Sequence, residues 1–295
     1  MNFRQVRKKI KTVQNVKKIT NAMQMVSAVK MKKAQKEALA GREYRLMLDR
    51  ILKRIVTKAS DIKDVNIPWM HEQEGNRTLY VLVTSNKGLC GSFHTYLFKH
   101  LLDNVKSETS DFICVGQKGA EFVTRLGSKV VADFSSQQPF ANSISSIFSV
   151  IEEKYLSGGY GNVVLIYNQF ISSFKNVPTL EPLLPIVELT ALAEEETTKQ
   201  VADSSAISTD YLIEPSVDEL LRPLIEDYIR EKLRSAISDS EAAEHSARMM
   251  AMKNATDNAG EVIYSLTLLR NKIRQAQITG ELLDMIAAKE SSSVS

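Results

Sequence analysis

The C-terminal part of the chain contains one long apolar repeat, in the segment SEAAEHSARMMAMKNATDNAGEVIYSLTLLRNKIRQAQITGELLDMI (residues 240–286). Apolar and small residues recur there at alternating steps of three and four, at Met252, Ala255, Ala259, Val262, Leu266, Leu269, Ile273, Ala276, Gly280 and Leu283. A mean repeat of about 3.5 residues keeps one edge of a helix facing a partner helix, so the pattern predicts a coiled coil. Four of these ten positions are Ala or Gly, so the partner backbone must come close at those levels.

The N-terminal segment is the other part of the chain with a matching repeat. Its apolar positions are Phe3, Val6, Ile10 and Val13, followed after a three-residue slip by Val16, Ile19, Met23 and Val26. No Pro or Gly interrupts residues 1–40, so a helix is predicted that reaches about residue 59 and is about 85 Å long. A C-terminal helix over residues 217–287 would be about 105 Å long. We therefore expect the two ends to form one long antiparallel coiled coil that projects from a globular middle.

The middle of the chain alternates short β-branched runs with amphipathic stretches. Strands are predicted at residues 78–84, 112–115, 130–134 and 163–168, and helices from Phe93, over 117–126 and over 144–155. This alternation predicts an open, mostly parallel, Rossmann-like α/β sheet. Pro178, Pro182 and Pro185 then indicate an edge strand or an extended segment.

These patterns predict a division of the chain into four parts. They are an N-terminal coiled-coil helix (1–59), a central α/β domain (76–208) with an acidic linker (190–208), a C-terminal coiled-coil helix (209–287) and a disordered tail (288–295). Ser216 and Glu219 form a capping box at the start of the second long helix, and Pro223 should bend it.

The charge distribution is strongly asymmetric, although the net charge is only +3. Residues 1–36 contain eleven Lys and Arg residues and no Asp or Glu. A basic helix face is often simply solvated, but eleven cations without an anion repel one another and favour a negatively charged partner. Nucleic acid, anionic lipid and an acidic protein surface all fit this charge.

The central sheet lacks the motifs of a nucleotide-binding enzyme. The turn after the first strand contains Gly88 and Gly91 but neither the dinucleotide fingerprint nor the phosphate loop. Cys90 lies near a helix N-terminus, where a thiol can be activated, but no Cys/His pattern accompanies it. The two cysteines are too few for a metal site or a disulfide framework and favour a reducing, cytoplasmic setting. We expect no catalytic site, no cofactor, no metal and no membrane span.

Three segments resemble the gamma subunit of F-type ATP synthases. They are Ile19–Met31 in the N-terminal helix, Gly88–Phe93 in the central turn, and Ala247–Asn258 with Asn271–Gln275, Ile278 and Thr279 near the end. The resemblance implies a non-catalytic rotor shaft within a ring of three alpha and three beta subunits, with the epsilon subunit and the membrane c-ring as further partners. Ion flow would turn the shaft, which drives ATP synthesis on beta and regulates ATPase activity. It also implies a peripheral location on the cytoplasmic face of the bacterial inner membrane.

The resemblance also implies partner-binding residues. Arg274, Gln275 and Thr279 match residues that hydrogen-bond a beta-subunit loop, and Met23 is expected to face the same region. By charge alone, acidic loops of beta should meet the basic residues Arg7, Lys8, Lys9, Lys30, Lys32 and Lys33. Cys90 is placed near epsilon by its position in the matched turn.

This chain departs from the family pattern at three positions. Gly280 stands where a long polar residue is usual, Ile273 where a small residue is usual, and His94 where Asn is usual. Residues 190–215 contain no cysteine, so the thiol switch of the plant chloroplast subunit is absent. The competing interpretations are a basic coiled coil that binds nucleic acid and, more weakly supported, a Rossmann-type enzyme.

Overall fold

The computed structural model describes residues 2–58, 68–70, 73, 75–186 and 217–293. The helices are α1 (Phe3–Lys58), α2 (Phe93–Asn104), α3 (Gln117–Leu126), α4 (Ile144–Leu156) and α5 (Val217–Ser293). The strands are β1 (Thr78–Val83), β2 (Ser110–Val115), β3 (Lys129–Asp133), β4 (Asn162–Ser172) and β5 (Lys175–Leu184). Residues 1–28 with 248–295 form one compact unit, and residues 29–247 form the other.

The central sheet confirms the predicted α/β fold. Its strand order is β3-β2-β1-β4-β5, and β1 pairs in parallel with both β2 and β4. Strand β5 pairs antiparallel with β4 at one edge, where Pro178 lies opposite Asn168 and Pro182 opposite Val164. An edge strand tolerates these prolines because one side of it needs no ladder hydrogen bonds.

Each face of the sheet packs against helices, because the strands present apolar side chains on both sides. On one face, Leu82, Phe112 and Ile166 pack with Leu97 of α2 and Val123 of α3. On the other face, the sheet packs with residues of α4 and with residues 221–237 of α5, in a cluster that also contains Leu52 and Ile55 of α1. Apolar side chains on both faces of parallel strands are typical of a three-layer arrangement.

We call the unit formed by residues 1–28 and 248–295 the helix-pair unit. In it, the residues of α1 that face α5 differ from the predicted ones after Val13. The contact row continues without a slip through Lys17 and Thr20 to Ser27, and Thr20 and Ser27 are 9% and 3% exposed. Val16, Ile19 and Val26 are instead 46%, 59% and 56% exposed. The predicted slip is therefore wrong, because the row runs through small and polar residues that the apolar pattern did not include.

The predicted contact positions of α5 are confirmed only in part. Met252 and Ala259 are buried as expected, and Leu266 and Ile273 are half-buried. The residues between them that face α1 come one position later than predicted, as at Thr256. Ala276 and Leu283 are exposed, so the paired part of the helix is shorter than the sequence repeat.

One predicted boundary differs from the structure, and other predicted features lie outside the described residues. Helix α5 runs to Ser293, past the boundary at 287 that we predicted for it. Pro223 lies inside this helix. The acidic linker and Ser216 of the capping box lie outside the described residues.

Candidate functional site

The helix-pair unit is antiparallel, and a few contacts fix its register. The hydroxyl oxygens of Thr20 and Thr256 lie 2.7 Å apart. One turn further on, a side-chain carbon at Gly260 would lie 3.1 Å from the Nζ of Lys17, so these two positions also face each other. Residue numbers that increase along α1 therefore pair with residue numbers that decrease along α5, so the two helices are antiparallel, as the sequence predicted.

The basic residues at the start of α1 lie on the outside of this helix pair. Arg7, Lys8 and Lys9 are exposed. Lys8 and Lys9 also line a shallow groove of about 820 Å³ together with Gln5, Thr12, Val13, Val262 and Leu266. The groove combines an apolar floor with a cationic edge, which suits an acidic segment that also has an apolar side chain.

Arg274, Gln275 and Thr279 are all exposed. Counted from the Thr20–Thr256 contact, Arg274 lies level with about residue 2, where α1 begins. Gln275 and Thr279 therefore lie on a part of α5 that faces no described residue of α1. The Thr279 hydroxyl donates a hydrogen bond to the carbonyl of Gln275 at 2.9 Å, which leaves its oxygen lone pairs for an outside donor.

Met23 is half-buried in the helix pair and does not lie beside these residues. By the same register it is level with about residue 253, so it lies about 30 Å along the helix from Arg274. The antiparallel pairing therefore places Met23 and Arg274 at different levels of the helix pair, and their contact with one region of a partner stays a prediction.

Lys30, Lys32 and Lys33 belong to the other unit, where all three are exposed on α1. Lys33 is 3.9 Å from the carboxylate of Glu37, one turn later on the same helix. Such an exposed pair contributes little to stability. These cations therefore remain available to a partner.

The position where a sheet of this type binds nucleotides is filled by protein. Parallel α/β sheets bind ligands beyond the carboxyl ends of the strands where the chain order reverses, which here is between β1 and β4. Cys90, Phe93 and Ala243 of α5 pack together there, with Phe170 of β4 against them. The side chain of Asn176 donates a hydrogen bond to the carbonyl of Ala243 at 3.2 Å. This packing occupies the crevice that an enzyme of this fold class would keep open.

Cys90 takes part in a hydrogen-bonded chain inside this packing and is only 1% exposed. The Ser85 hydroxyl donates to the carbonyl of Lys87 at 2.7 Å, so the Nε2–H of His94, 2.9 Å away, must donate to the Ser85 oxygen. The Nδ1 of His94 lies 3.4 Å from the Cys90 sulfur, within hydrogen-bonding distance. His94 thus links Ser85 and Cys90 at the two ends of the turn. Leu89 is a large apolar side chain of this turn that is 65% exposed, and it has a left-handed φ of 61°.

The second cysteine is also structural. Cys114 lies in β2 and is fully buried, and burial raises the pKa of its thiol to about 12. Among the described residues, no group of three or more His, Cys, Asp or Glu side chains is placed to hold a metal ion. The described helices also contain no apolar run that is long enough to cross a membrane.

Comparison with known proteins identifies relatives over the full length of the chain. The family described as ATP synthase matches residues 2–291. An ATP synthase gamma chain of Psychrobacter cryohalolentis is 34% identical over 293 residues, which cover 97% of both chains. That of Desulfitobacterium hafniense is 36% identical over 287 residues and 96% of both chains. A solved chain of the Euglena gracilis mitochondrial ATP synthase (OSCP, F1 and c-ring) has the same fold, with a TM-score of 0.65, 18% identity and coverage of 98% of this chain and 94% of that one.

Proposed function

The chain belongs to the ATP synthase gamma-chain family, and we propose that it is the central rotor subunit of such a complex. The main support for this proposal is the similarity to gamma chains over nearly the full length, at 34% identity over 97% of both chains. The subunit is not itself catalytic, and a nucleic-acid-binding coiled coil finds no support among these relatives. Its role is to couple rotation driven by ion flow to ATP synthesis on other subunits and to regulate their ATPase activity.

The surface of the helix pair supports this role. Ile278, Leu282, Leu283, Met285 and Ile286 are between 49% and 60% exposed on α5. Apolar side chains in such number on one helix are typical of a surface that another protein covers. We propose that alpha and beta subunits, three of each, surround this helix, and that Arg274, Gln275 and Thr279 hydrogen-bond a loop of beta. Met23 and the basic residues of α1 would contact beta at other levels.

The exposed turn after β1 supports a second interface. We propose that the turn binds the epsilon subunit and that Leu89 makes the contact, with the buried Cys90 supporting the turn from below. The membrane c-ring completes the rotor in this proposal. Proton flow through it would drive rotation, and the subunit would be peripheral on the cytoplasmic face of the bacterial inner membrane.

Co-purification tests the proposed function. The affinity-tagged full chain, expressed in its own organism, should co-purify with alpha and beta subunits in a complex that hydrolyses ATP. The same complex in membrane vesicles should pump protons. A tagged chain that is folded but retains no ATP synthase subunit would overturn the proposal.

Arg274 and Gln275 can be tested within that complex. Because charge-assisted hydrogen bonds to beta are proposed for them, Arg274→Ala with Gln275→Ala should lower ATPase turnover about tenfold while the complex still assembles. The exposed neighbour Gln277 provides a control, since Gln277→Ala should leave turnover unchanged. Equal turnover in all three complexes would remove Arg274 and Gln275 from the interface.

A further inference from the structure

The hairpin that joins β4 to β5 ends in an exposed aromatic residue. The turn consists of Ser173 and Phe174, and Phe174 is 85% exposed. Ile171, next to the turn, is 53% exposed. Two-residue hairpin turns usually contain Gly, Asn or Asp, so neither the turn nor the core accounts for a phenylalanine here.

The tip is held in place from several sides. The Ser246 hydroxyl of α5 donates to the carbonyl of Ser173 at 2.7 Å, and the backbone N–H of Phe174 donates to the Ser172 hydroxyl at 3.3 Å. The Ser173 hydroxyl lies 3.8 Å from the sulfur of Met31 on α1. A side chain presented by a fixed backbone loses less conformational freedom on binding than one on a mobile loop. The ring is therefore presented to solvent in advance of any contact.

Exposed lysines outnumber the neighbouring carboxylates around the tip. Lys30, Lys32 and Lys33 lie beside Met31 on α1 and are exposed, as is Lys175 in the hairpin itself. The acidic groups nearby are Glu37, which pairs with Lys33, and Glu241 and Glu244 of α5. Glu244 is only 9% exposed, and the pKa of Glu241 is raised to about 7 by burial and by the two neighbouring carboxylates.

We propose that Phe174 is an anchor that inserts into an apolar pocket edged by Asp and Glu on a partner subunit of the complex. A fixed, exposed aromatic ring beside cations has the composition of an interface hot spot, and the lysines would pair with the carboxylates around the pocket. This inference rests on the proposed function and adds to it a contact from the α/β domain. Phe174 is not among the partner-binding residues proposed above, whereas the neighbouring Lys30, Lys32 and Lys33 are.

Site-specific cross-linking tests the partner. A photoreactive phenylalanine derivative replaces Phe174 in the tagged full chain, and in a second variant of that chain it replaces Leu156, which is 47% exposed on α4. In the purified complex, position 174 should cross-link to a peptide rich in Asp and Glu from another subunit, at least tenfold more than position 156 does. Cross-links to lipid, to a basic peptide, or at the level of position 156 would overturn the inference.

Dissociation gives a second measurement. Phe174→Ala should speed release of the tagged chain from the complex at least tenfold, Phe174→Leu should lie between it and the wild type, and Leu156→Ala should stay within twofold. If the wild-type chain co-purifies with its partners but Phe174→Ala releases no faster, the anchor is excluded and the proposed function stands. If the wild-type chain does not co-purify, the proposed function fails first.

Discussion

The two units of this protein use apolar residues in opposite ways. In the sheet, Leu79, Val81 and Ile113 are completely buried. In the helix pair, Val6 and Ile10 are buried, yet Ile19 and Val26 are more than half exposed while Thr20 and Ser27 face the contact. The sheet thus contains its own core, whereas the helix pair leaves much of its apolar surface for another protein to cover.

This difference has a physical consequence for the two regions. Burial of apolar surface is the main source of folding stability, so the sheet should unfold with a large and cooperative transition. A helix pair held by small and polar side chains allows close approach of the backbones but contributes less burial per residue. Its stability should depend on the surrounding complex.

The largest expected effect comes from a cavity in the sheet. Leu79→Ala should lower the free energy of unfolding by about 2–5 kcal/mol, because a fully buried leucine leaves a void behind. Trp69, the single tryptophan, is buried in the same cluster and reports unfolding in urea by its fluorescence. Val26→Ala in the helix pair is the control and should cost less than about 0.5 kcal/mol. Equal costs for the two variants would break the distinction between the units.

A smaller and pH-dependent effect is expected at Glu241. Its raised pKa of about 7 follows from burial, then from Glu244 and Glu37, while Lys30 and Lys33 oppose the shift. The folded state therefore holds a proton that the unfolded state has released, and stability falls as the pH rises from about 4.5 to about 7. Glu241→Gln should remove this loss and be the more stable protein at pH 8 by about 1–2 kcal/mol, with little difference at pH 4.5.

Urea titrations at several pH values measure that prediction. The exposed Glu108 offers a control, since Glu108→Gln should follow the wild-type pH dependence. A constant difference between Glu241→Gln and the wild type across this range would show that Glu241 does not titrate there.

The hydroxyl pair of the helix contact should have a still smaller effect. Thr20→Val with Thr256→Val replaces two neighbouring polar groups by apolar ones of the same shape, which is usually neutral or stabilising by less than about 1 kcal/mol. Circular dichroism during thermal unfolding would measure the change. The single variant Thr20→Val leaves Thr256 able to donate to the Met252 carbonyl and should also be tolerated. A loss of more than about 2 kcal/mol would mean that the hydroxyls hold the register.

The smallest effect on folding is expected at the exposed apolar face. Ile19→Ser with Val26→Ser should change the free energy of unfolding by less than about 0.5 kcal/mol, since both side chains are largely in water. The free chain should nevertheless aggregate less, because it exposes a smaller apolar patch. Light scattering as a function of protein concentration measures aggregation of the double variant and of the wild type. Equal scattering by the two proteins would show that another surface drives association.

Much of the central fold could be predicted from local pattern. The four parallel strands and α3 lie within a few residues of their predicted positions, because β-branched runs and amphipathic stripes identify buried elements in a sheet with two covered faces. The antiparallel pairing of β5 could not be predicted from the sequence, which indicated only an edge strand or an extended segment there. Pairing direction depends on the turn and on the neighbouring strand, and three prolines do not specify either.

The site shows the same division. Charge was sufficient to identify the exposed cations of α1, whereas Arg274, Gln275 and Thr279 were indicated only by the family resemblance. The distance between Met23 and Arg274 could not be predicted in this way, because the register of the helix pair comes from contacts between residues far apart in sequence. The exposed Phe174 was also missed: a single phenylalanine after a strand usually indicates a core residue, and only its place in a two-residue turn shows otherwise.

The amino-acid sequence alone determined that both ends of the chain are long helices, that they pair, and that a parallel sheet lies between them. These features follow from periodicity and propensity, which act over a few neighbouring residues. The tertiary structure alone decided which helix face meets the partner and what fills the crevice of the sheet. Thr20 faces α5 because its hydroxyl meets that of Thr256, and Cys90 is enclosed because Ala243 packs against it. Each of these outcomes depends on a residue more than 150 positions away, which no local pattern can specify.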